Sequence, residues 1–525
     1  MRWMNFGAIF WLGCGSLNRQ PTPMSGDAAT PIEEDANANV DAGNDLMSID
    51  AAIVVDSSCP TRCVAMCVDL QTDVSNCGAC DNDCYLVAPP DAKISCYEGE
   101  CKYDCGADKH RCAAKCVDNN DVNACGSSCV VCRPPLHGYT ACDGVACTFS
   151  CLQGYTLVGS TCVAMNGFAV AATAIATGAS HSCAVTNAGV TCWGANDQGQ
   201  LGDGTTTARA TPVYAVGLTW GYQAVAAGDA FSCVLDTATA VTCWGDNSHG
   251  QFNSRDMMSS LIPRLGSSGY IAFSAGAAHM CALTQIGWPV CWGGNSSGQL
   301  GSGDMVDSVT PLNLTAPRSM LGISAGAQFS CGISDTNALY CWGANARGQL
   351  GINAMLGSLV PIQASGLGSG MSAVAAGVGH ACALTTGGGV KCWGQNDHGQ
   401  LGNSATQDSL VAVDVPGLSS GGRAICVGAA HTCILLPNGS VQCWGDNSAA
   451  QIGTTMVGGN VGAPHAVATL DSTAAGTAIS CGAKHTCLLD SSGGVKCWGD
   501  NAHGQIGNRR VGGTVATPTS VSFTP

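Results

Sequence analysis

The pair Trp-Gly recurs seven times in the last two-thirds of the chain, at Trp193, Trp244, Trp292, Trp342, Trp393, Trp444 and Trp498, with intervals of 51, 48, 50, 51, 51 and 54 residues. Spacing this even means one supersecondary unit repeated, because only units of equal length return the same pair to the same place. The period of roughly 50 residues is longer than most helical solenoids use and matches one four-stranded propeller blade. The expected fold is therefore all-β, a seven-bladed β-propeller with four-stranded antiparallel blades over residues 168–525.

One repeat shows the strands. In the fifth, Met371–Ala376 alternates and ends at Gly377, His380–Thr385 is broken by Gly387-Gly388-Gly389, and Val390–Gly394 is a third run. The turn-rich loop Asn396–Gly402 follows, then a fourth run, Leu410–Val415. Short apolar runs punctuated by Gly, Asn and Asp are strands and turns, and no helical period runs through the array. By the same pattern the first strand starts near Phe168 and the last covers Val515–Phe523.

The second and third runs of each repeat carry one cysteine apiece: Cys183/Cys192, Cys233/Cys243, Cys281/Cys291, Cys331/Cys341, Cys382/Cys392, Cys433/Cys443 and Cys487/Cys497. A hairpin sets such positions opposite each other, with Cα atoms about 4.5 Å apart in a non-hydrogen-bonded pair, near the low end of disulfide reach. Closing a loop of that size contributes roughly 2–3 kcal/mol. Zinc would need four converging ligands where each blade offers two, so these pairs are expected as disulfides.

The chain holds 35 cysteines. That density suits an oxidising compartment, and the odd count requires one cysteine with a separate fate. Cys14 follows a short apolar segment ending Leu12-Gly13, and the segment resembles a bacterial lipobox, in which the cysteine takes the lipid. Trp11 stands where a small aliphatic residue is usual, and a plain signal peptide or a misplaced start codon are the alternatives. Residues 1–14 are too short to span a bilayer as a helix. Residues 15–58 carry eight acidic residues against one basic, Arg19, and are expected as a disordered acidic tether.

Residues 59–162 hold 18 cysteines in a duplicated unit. Cys63-x3-Cys67 is echoed by Cys112-x3-Cys116, and Cys96-x4-Cys101-x3-Cys105 by Cys142-x4-Cys147-x3-Cys151, leaving Cys59 and Cys162 over. Units this small rely on cross-links rather than a core. The stretch Cys151–Cys162 resembles the last loop of an epidermal-growth-factor-like module. Cys426 and Cys481, on the first strands of adjacent repeats, either bridge blades six and seven or stay free.

The full repeated string is Gly-x-x-His-Ser/Thr-Cys, then Gly-x-Val-x-Cys-Trp-Gly-x-Asn-x-x-Gly-Gln-Leu/Ile-Gly. It resembles the repeat of the regulator of chromosome condensation family, over about 360 residues. Phe231 and Phe329 replace the histidine, the second repeat has Gln251-Phe252-Asn253 for Gln-Leu-Gly, and Ala450 replaces a glycine. The resemblance implies a seven-bladed propeller whose two ends meet.

Catalytic candidates are weak. The histidines His181, His279, His380, His431 and His485 recur one per blade, so they spread around a ring instead of converging, and are expected to hydrogen-bond a turn. Asn196, Asn247, Asn295, Asn345, Asn396, Asn447 and Asn501 are expected to cap turns, and the Trp-Gly tryptophans to pack between blades. His249, His398 and His503 are expected in solvated loops. The CxxC pairs Cys77/Cys80 and Cys129/Cys132 are expected as structural disulfides. Phosphate-loop, GxSxG, HExxH and EF-hand motifs are missing.

Net charge of -16 disfavours nucleic acid and anionic lipid surfaces. The expected function is a non-catalytic cell-surface or secreted binding protein, monomeric, engaging a protein or glycan, without metal or cofactor, and touching the membrane only through the N-terminal lipid. One alternative is a secreted enzyme inhibitor resembling β-lactamase inhibitory propellers, with Trp220, Trp288, Tyr214, Tyr222 and Tyr270 as candidate contacts. Another is nucleotide exchange on a small GTPase, which the even repeat spacing and the disulfides disfavour.

Overall fold

The computed structural model describes residues 170–523, apart from 254–257, 456, 469 and 471–473, together with shorter segments between residues 61 and 164. Cys14, the stretch 15–58 and Cys59 lie outside the described residues. The described residues belong to two compact units, one carrying most of the cysteine-rich segment and one the propeller.

The propeller is seven four-stranded antiparallel sheets, each built from consecutive strands. In the fifth blade they span Met371–Ala376, His380–Thr385, Val390–Gly394 and Ser409–Asp414, within a residue of the sequence reading. The array opens at Ala172–Thr177 and closes at Thr514–Ser520. Phe523 falls beyond the last strand because its ring is used elsewhere, edge-on to Trp193 at 6.0 Å between centroids. First strands of neighbouring blades pack against one another and form the inner ring.

In every hairpin the cysteines of the second and third strands are register partners. The seven disulfides are Cys183–Cys192, Cys233–Cys243, Cys281–Cys291, Cys331–Cys341, Cys382–Cys392, Cys433–Cys443 and Cys487–Cys497. Their Cα atoms lie 4.1 Å apart in each case, slightly closer than the roughly 4.5 Å of a non-hydrogen-bonded cross-strand pair.

The turn between first and second strands begins with glycine in all seven blades, for a steric reason. A methyl group on Gly178 would lie 2.3 Å from the Gly228 carbonyl oxygen, one on Gly276 2.4 Å from that of Gly326, and one on Gly482 2.5 Å from that of Gly178. Gly228, Gly326, Gly377 and Gly428 meet the next turn's carbonyl in the same way. The turns thus close a circle of backbone contacts, and the last link joins blade seven to blade one with no strand exchanged.

The first strands supply a second set of junctions. Ser274 Oγ accepts the Ala325 N–H at 3.0 Å, Ser324 that of Ala376 at 3.0 Å, and Ser480 that of Thr177 at 3.0 Å across the ring closure. Cys426 and Cys481 hold the same two positions at the junction of blades six and seven and form a disulfide there, Cα atoms 5.4 Å apart. Among the described residues it is the one disulfide that links two blades.

The cysteine-rich segment is a run of short two-stranded hairpins. Cys77–Cys96 and Cys84–Cys101 in the first copy match Cys125–Cys142 and Cys132–Cys147 in the second. Cys105–Cys116 matches Cys151–Cys162. The last cysteine of the first copy therefore pairs forward, and Cys162 takes the equivalent place for the second. Cys129 pairs with Cys112. Cys77, Cys129 and Cys132 thus bond outside their CxxC motifs, so neither motif closes on itself.

Gly276→Ala should cost about 1–3 kcal/mol, because the added methyl meets both the Gly326 carbonyl and the His279 ring; equilibrium guanidinium unfolding followed by tryptophan fluorescence measures it. Replacing Cys426 and Cys481 by alanine should remove about 4 kcal/mol in the chain-entropy model, against roughly 3 for Cys331 and Cys341, since the closed loop is longer. Cys426→Ser with Cys481→Ala, which copies the Ser324–Ala376 junction, should recover part of the loss. An unchanged midpoint in the alanine pair would show that this junction is not limiting.

Candidate interaction surfaces

The repeat histidines are assembled into the joints between blades. His181 Nε2 meets Ser232 Oγ at 2.8 Å, His279 meets Ser330 at 2.8 Å, His380 meets Thr432 at 2.9 Å, His431 meets Thr486 at 3.0 Å, and His485 meets Ser182 at 2.9 Å. The partner is a hydroxyl of the next blade, not a turn as the sequence suggested. Each hydroxyl donates its single proton to a loop glutamine carbonyl, for example Ser232 to Gln200 and Ser330 to Gln299, both at 2.9 Å. It must therefore accept from the ring, which fixes a neutral histidine protonated at Nε2. All five rings are fully buried, and desolvation lowers their pKa to about 3 or 4.

The same glutamine carbonyls accept the indole N–H of the following blade's tryptophan. Gln200 takes Trp244 at 2.8 Å, Gln299 takes Trp342 at 2.9 Å, and Gln505 takes Trp193 at 2.9 Å across the closure. Where phenylalanine replaces histidine the next blade changes with it. Phe231 and Phe329 precede blades that carry Met280 and Ala381 in place of Ser or Thr, and all four are buried. Every joint is thus matched polar-to-polar or apolar-to-apolar, and none of these five imidazoles reaches solvent.

The hairpin cysteines are equally removed from the surface. On the third strands Cys192, Cys243, Cys291, Cys341, Cys392, Cys443 and Cys497 are buried, as are their partners Cys183, Cys233, Cys281, Cys331, Cys382, Cys433 and Cys487 on the second. They pack within the same clusters as the tryptophans. They hold the blades in shape and take no part in an exposed site.

The long loop between third and fourth strands is built on its asparagine. Asn345 Oδ1 accepts the Leu350 N–H at 2.9 Å, and its amide donates to the carbonyls of Ala354 at 2.8 Å and Leu356 at 2.9 Å. Asn196, Asn295 and Asn396 repeat the pattern. The two irregular repeats keep the loop: Asn253 (φ 59°) and Ala450 (φ 65°) adopt left-handed backbone, which costs an alanine more than the glycine it replaces. Five of the loops are also bonded to the next blade, as Gly303 N–H is to Leu359 O at 2.9 Å and Arg509 N–H is to Ala210 O at 2.9 Å. His503 is exposed, as expected. His249 is exposed as well, with Nδ1 2.6 Å from Asp307 Oδ2, and the half-buried His398 has Nδ1 3.0 Å from Asn460 Oδ1.

Two faces result. The glycine turns and the long loops share one, as the bonds Ala344 N–H to Gln328 O and Gly294 N–H to Ala278 O require. The short hairpin turns and the connections between blades occupy the other. Of the aromatic candidates, Trp220 is 80% exposed on this second face and Trp288 is also exposed. Tyr270 is buried and stacks on Trp292 with centroids 5.7 Å apart, while Tyr214 and Tyr222 are half-buried. The aromatic candidates therefore do not form one exposed cluster.

Among the described residues the groupings of metal-ligand type are Cys77/Cys84/Cys101, His110/Cys112/Cys129, Cys125/Cys132/Cys147 and Cys426/Cys433/Cys481. Every cysteine in them is in a disulfide, so none offers the thiolate that a metal takes.

The chain resembles the RCC2 homologue of Danio rerio, 31% identical over 150 residues, which is 27% of this chain and 29% of that one. It also resembles the probable E3 ubiquitin-protein ligase HERC4 of Rattus norvegicus, 32% identical over 142 residues, 26% of this chain and 13% of that one. It spans under a third of the length of these curated relatives. Among solved structures, human WBSCR16 superposes with a TM-score of 0.56 at 22% identity, covering 63% of this chain and 93% of that one. Yeast RCC1 (Prp20), bound to Kap60, gives 0.57 at 18% identity, covering 64% and 84%. These two show the fold alone. The model of the RCC1-like domain matches residues 158–470 and that of the regulator of chromosome condensation (RCC1) repeat matches 477–505, and with seven blades joined by the repeat's own His, Trp and Gln residues, the chain belongs to the RCC1-like family.

Proposed function

We propose that the protein is an exported, non-catalytic binding protein, held at the cell surface by a lipid on Cys14 or released, whose propeller engages a partner protein. One observation carries the reading. The residues with most catalytic potential, the five repeat histidines, are buried one per joint with Nε2 committed to a neighbouring hydroxyl. A general base must reach its substrate, and these rings cannot. What faces outward is a set of rigid loops. The RCC1-like propeller is a protein-interaction fold, and one solved protein of this fold, yeast RCC1 (Prp20), is bound to Kap60. Disulfide density supports an oxidising compartment. Exposed apolar side chains favour a protein over a glycan.

The inhibitor reading keeps one supporting observation, the exposed Trp220 on the hairpin face. Nucleotide exchange has no comparable support.

Metabolic lipid labelling with fractionation tests the location: wild type should label and partition with membranes, while Cys14→Ser should lose both properties. Soluble, unlabelled wild type made with its thiols free would overturn the reading, as would hydrolase or exchange activity in the purified chain.

Histidine burial also fixes a pH dependence. The unfolded pKa is about 6.5 and the folded values are about 3 to 4. As pH falls through 6.5 the unfolded chain takes up protons that the folded chain refuses, so stability is complete above 6.5 and declines towards 4. His279→Phe with Ser330→Met, copying the Phe231–Met280 joint, should reduce that slope by about one proton. Guanidinium midpoints at pH 7.5, 6, 5 and 4 check this; an unaltered slope would mean that His279 is already accessible.

A further inference from the structure

The long loops of blades two, three and four present apolar side chains to solvent at one equivalent place, where blades six and seven carry single exposed valines, Val457 and Val511, each followed by glycine. Counting from the loop asparagine, the tenth and eleventh residues are Met305 and Val306 in blade three and Met355 and Leu356 in blade four. The eleventh in blade two is Met258, whose carbonyl accepts the Asn247 N–H at 2.8 Å. All five side chains are more than half exposed, and Leu356 reaches 81%.

The fold does not require this. Blades one and five place Thr206-Thr207 and Thr406-Gln407 at the same positions; Asn196 holds its loop by the same three bonds as Asn345, and Asn396 by those to the Leu401 N–H and the Ala405 carbonyl. Polar pairs serve the scaffold equally well, so the apolar residues of blades two to four have no packing role to explain them.

They also form one continuous surface. The blade-three loop lies on the fourth strand of blade four: a methyl on Gly298 would touch Leu359 Cδ2 at 2.6 Å, and one on Gly303 would lie 3.9 Å from Val360 Cγ1. Leu359 and Val360 are themselves exposed. The His249–Asp307 contact at 2.6 Å joins the blade-two loop to the residue after Val306. Because the loops of blades three and four are already held by Asn295 and Asn345, docking on them orders little and loses little entropy. Methionine adapts to varied apolar partners.

The edge of this crescent is acidic. Asp304 and Asp307 lie within it. At the blade-four end Arg347 is held between Asp408 at 3.0 Å and Asp397 at 3.2 Å. On the same face Asp229 is the charged exception among turn residues that are otherwise Ala or Val.

We propose that this crescent on blades two to four is the docking surface for a partner protein whose contact patch has an apolar centre and a lysine- or arginine-rich edge. The proposal rests on the binding-protein reading above and names the surface and partner chemistry for it.

The test uses the full-length, disulfide-intact chain and a fluorescein-labelled amphipathic helical peptide of leucine and lysine, with a leucine–glutamate peptide of the same pattern as comparison. Anisotropy is read at about 0.15 M salt, where exposed charges still act over roughly 8 Å. The leucine–lysine peptide should bind at least tenfold more tightly than the leucine–glutamate one. Met305→Thr, Val306→Thr, Met355→Thr and Leu356→Thr together, which copy blade one and leave the loop bonds in place, should weaken it at least tenfold. Trp220→Thr with Trp288→Thr, on the opposite face, should leave it unchanged. Binding that survives the threonine variant, or that fails only in the Trp220/Trp288 variant, would overturn this surface while leaving a binding protein. Equal affinity for both peptides would overturn the charge assignment. Co-sedimentation of the wild type, but not the threonine variant, with phosphatidylcholine vesicles in the absence of peptide binding would make the crescent a lipid contact and overturn the proposal.

Discussion

Seven small sheets close into a ring here because their innermost turns approach more closely than any side chain would allow. Each turn glycine faces the carbonyl of the next turn, with 2.3–2.6 Å between that oxygen and the place a methyl would occupy. None of these seven glycines is needed for left-handed backbone; they are needed for space. Once the turns meet, the other joints follow. At four of the seven junctions the first strands are joined by a Ser–N–H bond or a disulfide, and the glutamine carbonyl of each loop falls beside the indole of the following blade and, at five joints, its hydroxyl. Since no strand is exchanged between blades seven and one, the closure depends on these contacts being as good there as elsewhere. The Gly482–Gly178, Ser480–Thr177, His485–Ser182 and Gln505–Trp193 contacts are all in place.

Polar groups in such a joint are a hazard unless each is answered, since an unpaired buried donor costs about 1–3 kcal/mol. The chain deals with the donors two ways. Five joints use a histidine Nε2–H and a hydroxyl that relays to the glutamine carbonyl, and leave the buried Nδ1 acceptor of each ring without a hydrogen-bond partner. Two joints drop the pair entirely and fill the space with Phe231–Met280 and Phe329–Ala381. Mixed joints, with histidine facing methionine or phenylalanine facing threonine, do not occur among the seven. The alternation shows that the histidine is a packing element that happens to be polar, which is why its recurrence carries no catalytic meaning.

Blade number and strand positions were legible in the sequence because turns and Trp-Gly pairs mark them at every repeat, and the fifth blade lies within a residue of its reading. The hairpin disulfides were legible for the same reason, since a pair such as Cys382 and Cys392 is set by one local turn. The ends were less legible. Phe523 reads as strand by hydrophobicity, yet it packs on Trp193 from beyond the last strand, a contact between residues 330 positions apart. The histidine's partner was missed for a similar reason: the hydroxyl lies one blade on, and only the joint swap at Phe231 and Phe329 could have revealed it. Tyr270 read as a candidate contact and is instead core, stacked on Trp292. In a repeat protein, local pattern predicts the unit well and the joints poorly, because joints are made between units.

The loop residues illustrate the same division with a functional consequence. Met355-Leu356 reads like any apolar pair of a strand, and nothing in the pair itself says that it faces water. Its exposure is set ten residues earlier, by Asn345, which holds the carbonyls of Ala354 and Leu356 inward and leaves the side chains outside. The device is the same in blades with Thr206-Thr207 and with Met305-Val306, so the ring supplies a fixed frame and the two residues are free to change without unsettling it. A scaffold that separates folding from surface in this way can acquire a binding patch by substitution alone. Physical pressure on such positions then comes from contact with something outside the chain, since within the chain they touch too little to be selected for packing.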